Sequence, residues 1–313
     1  MRILFMGTPE FAAAALDAIA KAYPNEVVGA VTRQDTPKNR GHAMTPPPVK
    51  ILAQSLGIPV YQPVNLKAEN FRETLDSCAP DIIIVAAYGR ILPAYVLDAP
   101  RFGCINIHAS LLPKYRGAAP IQRAILAGEK EAGVTIMKMA EGIDTGDMYK
   151  KASFPLSGTE NYGEIHDRLA ALGAELITDV MEQIFRGVAH AEKQDDALAT
   201  YAAKIEKEDR LLSFDAPAEE IINKIRAFSP APGAEAALPS GKVKITAAKC
   251  AGDAPDGAPG TVSVLSAKGD GTLAVNCKDG KILIERLIPE GKKEMTAGDF
   301  IRGRRITPED KFL

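Results

Sequence analysis

Residues 82–87, Ile-Ile-Ile-Val-Ala-Ala, limit what this chain can fold into more than any other stretch. The run is strand-sized and no polar residue interrupts it, so both of its faces must be covered. Such a strand belongs at the centre of a mostly parallel sheet with helices on both sides. The opening agrees. Residues 2–6, Arg-Ile-Leu-Phe-Met, read as a second buried strand, followed by Gly7-Thr8-Pro9 and a helix over 10–22, with Thr8 as its cap and Pro9 at its first position. A strand at 26–32, a helix at 49–56, a short edge strand at 58–60 and a helix at 69–77 continue the alternation. The expected class is therefore α/β, with a Rossmann-like sheet. A single glycine at Gly7 is not G-x-G-x-x-G, and the second strand ends in Thr32-Arg33 where a ribose-binding acid would stand, which argues against a dinucleotide enzyme.

At 313 residues the chain exceeds one ordinary core. A long amphipathic helix is expected over 160–186, capped by Thr159, with Ile165, Leu169, Leu172, Leu176 and Ile177 as its inner stripe. Residues 187–207 lose that period and read as a linker. Beyond it come a helix at 216–227, strands near 243–250, 260–265, 272–277 and 281–288, and a short helix at 297–302. Short strands with glycine turns suggest a small open OB-like β-barrel. The expected domains are 1–189, a linker at 190–207, and 208–313. The net charge of −2 offers no overall attraction for a polyanion, so any nucleic acid must be held by local patches. Cys78, Cys104, Cys250 and Cys277 show no C-x-x-C spacing and no metal-ligand grouping with the four histidines. Residues 7–10 break the first apolar stretch before it reaches the length of a signal peptide or membrane span. A cytoplasmic protein without anchor or metal is expected, and a monomer.

The chemistry-bearing stretch is 104–117. In Cys104-Ile105-Asn106-Ile107-His108 the polar residues alternate with apolar ones, so Asn106 and His108 share one face of a strand while Ile105 and Ile107 enter the core. Ser110-Leu111-Leu112-Pro113 turns the chain away, and Lys114-Tyr115-Arg116-Gly117 adds a cationic loop. A strand at 133–139 runs into a loop at 140–147, expected at the same end of the sheet, which brings Asp144 into consideration. An Asn and a His can donate to a developing oxyanion at an amide-like carbon, and an Asp can take the proton of an attacking amine. Each has a plainer reading: a satisfied core histidine, a turn-forming aspartate. Ser110 as a nucleophile lacks the G-x-S-x-G elbow. The segment 33–48, with Arg33, Lys38, Arg40 and His42 against only Asp35, is either a phosphate-gripping loop or a solvated insertion. Lys242, Lys244 and Lys249 lie in a stretch without acids, and Lys292, Lys293, Arg302, Arg304 and Arg305 form a second group.

The blocks N-I-H-A-S-L-L-P-K-Y-R-G-A-A-P-I-Q-R-A-I at 106–125, G-V-T-I-M at 133–137 and G-I-D-T-G-D-M at 142–148, with the G-T-P-E-F opening and A-Y-G-R-I-L-P at 87–93, resemble the methionyl-tRNA formyltransferase family. The resemblance covers the whole chain, including the linker and barrel. It implies that 10-formyltetrahydrofolate donates a formyl group to the α-amine of initiator methionyl-tRNA. It also implies that Asn106, His108 and Asp144 are the catalytic set, that Ser110, Leu111, Leu112 and Pro113 lie along the folate, and that the pterin enters near Tyr88, Gly89, Ile91 and Leu92. By the same resemblance Arg40, with Arg33 and Lys38 in its loop, presses on the acceptor stem while Lys242, Lys244 and Lys249 follow the tRNA backbone. Two departures stand out: Ala109 where the family usually has glycine, and no tryptophan anywhere. The alternatives are a formyltransferase for a small amine, a 10-formyltetrahydrofolate hydrolase, and a nonenzymatic nucleic-acid-binding protein.

Overall fold

The computed structural model describes residues 1–38, 43–67, 69–303 and 305–313. The chain divides into two compact units. One comprises Met1–Pro120, Glu131–Pro155 and His166–Ala203, the other Ile121–Lys130, Leu156–Ile165 and Lys204–Leu313.

The elements of the first half in chain order are β1 (Ile3–Gly7), α1 (Glu10–Ala22), β2 (Val27–Val31), β3 (Thr36–Lys38), β4 (Ala43–Thr45), α2 (Pro48–Ser55), β5 (Val60–Tyr61), α3 (Glu69–Cys78), β6 (Ile82–Ala86), α4 (Ala94–Leu97), β7 (Cys104–His108), β8 (Arg116–Gly117), α5 (Pro120–Leu126), β9 (Glu131–Lys138), β10 (Met148–Pro155) and α6 (Tyr162–Phe185). Seven strands form one sheet in the order β10-β9-β7-β6-β1-β2-β5. β1, β2, β5, β6 and β7 are parallel. β1 and β6 are buried along their whole length. Their alternate side chains part to opposite faces: Leu4, Met6, Ile83 and Val85 join Cys104 and pack with Phe71, Leu75 and Val96 from α3 and α4.

Three expectations need correcting. β9 and β10 are antiparallel to their neighbours, with Ile105 opposite Lys138 and His108 opposite Thr135. The connection after β7 never carries the chain back across the sheet, so β9 enters at the carboxyl end of β7 and leaves beside its start. The loop at 140–147 therefore begins at the opposite end of β7 from the one expected. Pro9, not Thr8, is the N-cap of α1, and the Thr8 hydroxyl donates to the Tyr88 carbonyl instead, at 3.4 Å. Thr159 does not cap α6. Asn161 does, its Oδ1 accepting from the Glu164 amide at 3.1 Å while Glu164 Oε2 accepts from the Asn161 amide at 2.8 Å, a reciprocal capping box.

The basic segment is not a plain loop. β3 and β4 pair antiparallel, Thr36 opposite Thr45 and Lys38 opposite Ala43. At their root Lys50 Nζ donates to both Asp35 oxygens (2.9 and 2.8 Å) and to Gln62 Oε1 (2.9 Å), and the Gln62 amide reaches the Arg33 carbonyl at 2.7 Å. Arg40 lies outside the described residues.

The segment after α6 is tied down. A 3₁₀ turn at Asp196–Leu198 leads to β11 (Tyr201–Ala202), which pairs in parallel with β8. In the second unit α7 (Ala218–Ala227) precedes β12 (Ala234–Leu238), β13 (Gly241–Cys250), β14 (Val262–Ser266), β15 (Thr272–Asn276), β16 (Lys281–Pro289), β17 (Met295–Thr296) and α8 (Ala297–Arg302). Its antiparallel sheet has the order β12-β13-β16-β15-β14 with β17 on β16. Ile221, Ile225 and Phe228 of the α7 segment pack with Val243, Ile245, Leu273, Ile284 and Phe300 in one core. β12 has no counterpart in the sequence reading, because Ala-Glu-Ala-Ala-Leu carries little strand propensity.

Candidate active site

β7 presents Asn106 and His108 on the face that Cys104 shares, as period two requires. His108 is 5% exposed. Its Nε2–H donates to the Tyr115 carbonyl at 3.0 Å, which fixes that nitrogen as a donor. Its Nδ1 lies 3.5 Å from Asp144 Oδ2. Despite the reversed start of its loop, Asp144 thus reaches the imidazole. The same Oδ2 accepts from the Gly117 amide at 2.8 Å, leaving Oδ1 without a partner among the described residues. The half-buried Asn106 carboxamide likewise has no partner among the described residues.

The backbone around these groups is unusual. Ala87 (φ 43°), Tyr115 (φ 61°) and Asp144 (φ 50°) are three non-glycine residues in the left-handed region, one each in the loops after β6, β7 and β9. Such conformations concentrate where surrounding contacts fix a functional geometry. Gly146 allows the Asp144 loop to close, since a Cβ there would stand 1.7 Å from the Lys138 carbonyl oxygen. Ala109 is not among the left-handed residues, so alanine fits where the family usually has glycine.

Ser110 is buried and its hydroxyl donates to the Lys114 carbonyl at 2.7 Å, which removes it as a nucleophile. Thr135 Oγ1 donates to the Ser110 carbonyl at 2.7 Å and accepts from the Leu112 amide at 3.1 Å, holding the turn from below. Leu112 is buried in that turn, while Leu111 and Pro113 are half-buried. Beside Asn106, whose register partner on β6 is Val85, the chain leaves through 87–92. Tyr88 is 2% exposed and turns into the core, its hydroxyl buried without a partner among the described residues; burial raises its pKa, and Arg90 and Arg33 pull it down. Leu92 is buried too, whereas Ile91 is 82% exposed. The exposed Arg33 guanidinium stands 3.5 Å from where a Cβ on Gly89 would be.

Sequence reasoning missed Gln194. Its amide donates to the carbonyls of Asp144 and Gly146, both at 2.8 Å, and its Oε1 accepts from Arg116 Nε at 3.0 Å. Arg116, 2% exposed, also donates to Asp196 Oδ1 at 2.7 Å. A glutamine in a polar, aperiodic stretch gives no sequence signal of such a role.

In the second unit Val243 and Ile245 face the core, and bulges between Ile245 and Ala248 shift the alternation. Lys242 and Lys249 consequently both stay exposed. Lys249 is bound to Glu285 at 2.8 Å, whereas Lys242 and Lys244 have no acidic partner among the described residues.

Residues 1–181 match the formyl transferase family, and residues 204–305 match the formyl transferase C-terminal domain. A methionyl-tRNA formyltransferase of Halorhodospira halophila is 45% identical over 307 residues, covering 98% of this chain and 97% of its own. The chain belongs to the methionyl-tRNA formyltransferase family. A methionyl-tRNA formyltransferase of Bacillus velezensis is 43% identical, covering 99% of this chain and 96% of its own. Among solved structures, HypX from Aquifex aeolicus in complex with tetrahydrofolic acid shares the fold with a TM-score of 0.66 at 19% identity, covering 97% of this chain and 47% of that one. The methionyl-tRNA formyltransferase from Clostridium thermocellum does so with a TM-score of 0.55 at 18% identity, covering 80% and 93%. Membership in the methionyl-tRNA formyltransferase family makes an amine-to-formyl transfer the chemistry against which Asn106, His108 and Asp144 are to be judged.

Proposed function

We propose that this chain transfers the formyl group of 10-formyltetrahydrofolate to the α-amine of methionine on initiator tRNA, in the cytoplasm, through Asn106, His108 and Asp144. The observation that carries the reading is the 3.5 Å approach of Asp144 to His108 beside an uncommitted Asn106 carboxamide. The folate supplies an activated formyl carbon. As the amine adds, the formyl oxygen gains negative charge, and the Asn106 NH₂ is the donor free to meet it. The amine must shed a proton, for which Asp144 Oδ1 is the free acceptor, directly or through one water. His108, anchored by the Tyr115 carbonyl at Nε2, turns Nδ1 toward Asp144 Oδ2 at 3.5 Å and so lines the place where the tetrahedral centre forms. The tetrahedral adduct then collapses: the bond between the formyl carbon and N10 of the folate breaks, the formyl oxygen regains its double bond, and N10 takes up the proton that the amine shed as tetrahydrofolate leaves, so none of the three residues forms a covalent bond to the substrate.

Of the folate set, Ile91, Leu111 and Pro113 offer side chains and Gly89 its backbone. Tyr88, Leu92, Ser110 and Leu112 shape the turn from within. On the tRNA side, Lys38 ends the first strand of the basic hairpin and Arg33 precedes it, and Arg40 of the same segment joins them as a contact to the acceptor stem. Lys242 and Lys244 are the barrel lysines free to take phosphate, and Lys249 contributes less while Glu285 holds it. A small amine or water as acceptor needs neither group, which favours tRNA. The test is formyl transfer from 10-formyltetrahydrofolate to initiator methionyl-tRNA, with elongator methionyl-tRNA and free methionine as controls. Transfer to the initiator species alone is expected, and equal transfer to free methionine overturns the assignment.

A further inference from the structure

Asp144 adopts a backbone conformation disfavoured for a residue with a side chain, and the Gln194 NH₂ takes both the Asp144 and the Gly146 carbonyls, each at 2.8 Å. The other end of that amide is fixed by Arg116 Nε at 3.0 Å. Arg116 in turn sits between the residue whose carbonyl holds His108 (Tyr115) and the residue whose amide holds the Asp144 carboxylate (Gly117). The contacts close a ring: Asp144 backbone, Gln194 amide, Arg116 side chain, Gly117 amide, Asp144 carboxylate. The surrounding segment is laced to the same two loops, Glu192 exchanging backbone bonds with Met148 and Thr200 accepting from the Arg116 amide at 2.8 Å. Asp196 fixes the outer end of the guanidinium at 2.7 Å.

We propose that Gln194 is a positioning residue for the transfer reaction, setting Asp144 at its working distance from His108 by holding the carbonyls of its loop. The proposal rests on the functional reading above. Gln194 has no place on the substrate, so its loss misplaces a group without removing one. Gln194→Ala is expected to lower kcat about 10- to 100-fold, with KM for both substrates within about twofold. Gln194→Glu is isosteric and keeps an acceptor for Arg116, but turns an oxygen on the two carbonyls. It is expected to fall at least as far, without threatening the fold. Asp195→Ala breaks only the local bond from the Ala197 amide in the same segment and is expected to keep the wild-type kcat.

With four histidines in the chain, ring-nitrogen NMR gives a second readout. The His108 Nδ1 resonance should move in Gln194→Ala while those of His166 and His190 stay, which also reports that the variant is folded. Wild-type kcat in both Gln194 variants, an equal loss in Asp195→Ala, or an unmoved His108 resonance would overturn the proposal. Failure of the wild-type protein to formylate methionyl-tRNA would sink the functional reading instead.

Discussion

Among single residues, the chemistry open to the site depends on which donors are spent and which are free. Ser110 and Thr135 are committed to shaping the turn and the Gly117 amide to the Asp144 carboxylate, whereas Asn106 is uncommitted among the described residues. Asn106→Ala is therefore expected to lower kcat by about 10²- to 10³-fold, the usual effect of losing an oxyanion donor, with folate affinity little changed by equilibrium titration. Gly146→Ala tests the loop rather than the chemistry. Its Cβ would overlap the Lys138 carbonyl, so the loop must move and carry Asp144 with it, and a kcat loss of about 10²-fold is expected in a protein that still melts cooperatively. That Asn106 and His108 share a face was legible from strand alternation alone. That Asp144 meets them was legible only as a candidate, because a Gly-Asp turn looks the same whether or not its carboxylate has a use.

At the scale of elements, buried strands were the clearest part of the chain: residues 82–87 announce β6 by composition, and β7 by its alternation. The direction of β9 was not legible, since an apolar run carries no sign of which way its neighbour points. Nor was the binding of residues 192–202 to the loops that carry Tyr115 and Asp144, because hydrogen bonds to loop carbonyls leave no hydrophobic period. Thr159 looked like the cap of α6, but its amide and hydroxyl both bond to the Ser157 hydroxyl, leaving that place to Asn161. Asn161→Ala should cost about 1 kcal/mol of stability in denaturant unfolding. The β3–β4 hairpin depends on Lys50, whose bond to Asp35, with that from Gln62, holds the Asp35 carboxyl below its ordinary pKa. Lys50→Met is expected to speed amide exchange at Thr36–Lys38 and Ala43–Thr45, leaving β6 and β7 unchanged.

For the whole molecule, two carboxylates of the second unit contribute to its acid sensitivity. Burial pushes Glu160 up, but amides of Ser157 and Gly158 outweigh it and bring its pKa to about 2. Asp256 is also brought to about 2, first by Lys281, then by Ser263 and Asn276. A carboxylate with a lowered folded pKa stabilises above its unfolded value, about 4, and that contribution is lost as pH falls toward 2. Melting temperature should therefore decline over that window, and less steeply in Glu160→Gln. Binding of tRNA is the other whole-molecule property. Lys242→Ala should weaken it similarly for all tRNAs and reduce the salt slope by about one.

The most direct measurement is the single-turnover rate of formyl transfer from 10-formyltetrahydrofolate to initiator methionyl-tRNA, comparing the wild-type protein with Asp144→Asn. The substitution keeps the size of the side chain and an oxygen for the Gly117 amide while removing the proton acceptor. A loss of about 10²-fold or more, with both substrates still bound, is the predicted result. Transfer at the wild-type rate would contradict the reading of Asn106, His108 and Asp144 as one catalytic centre.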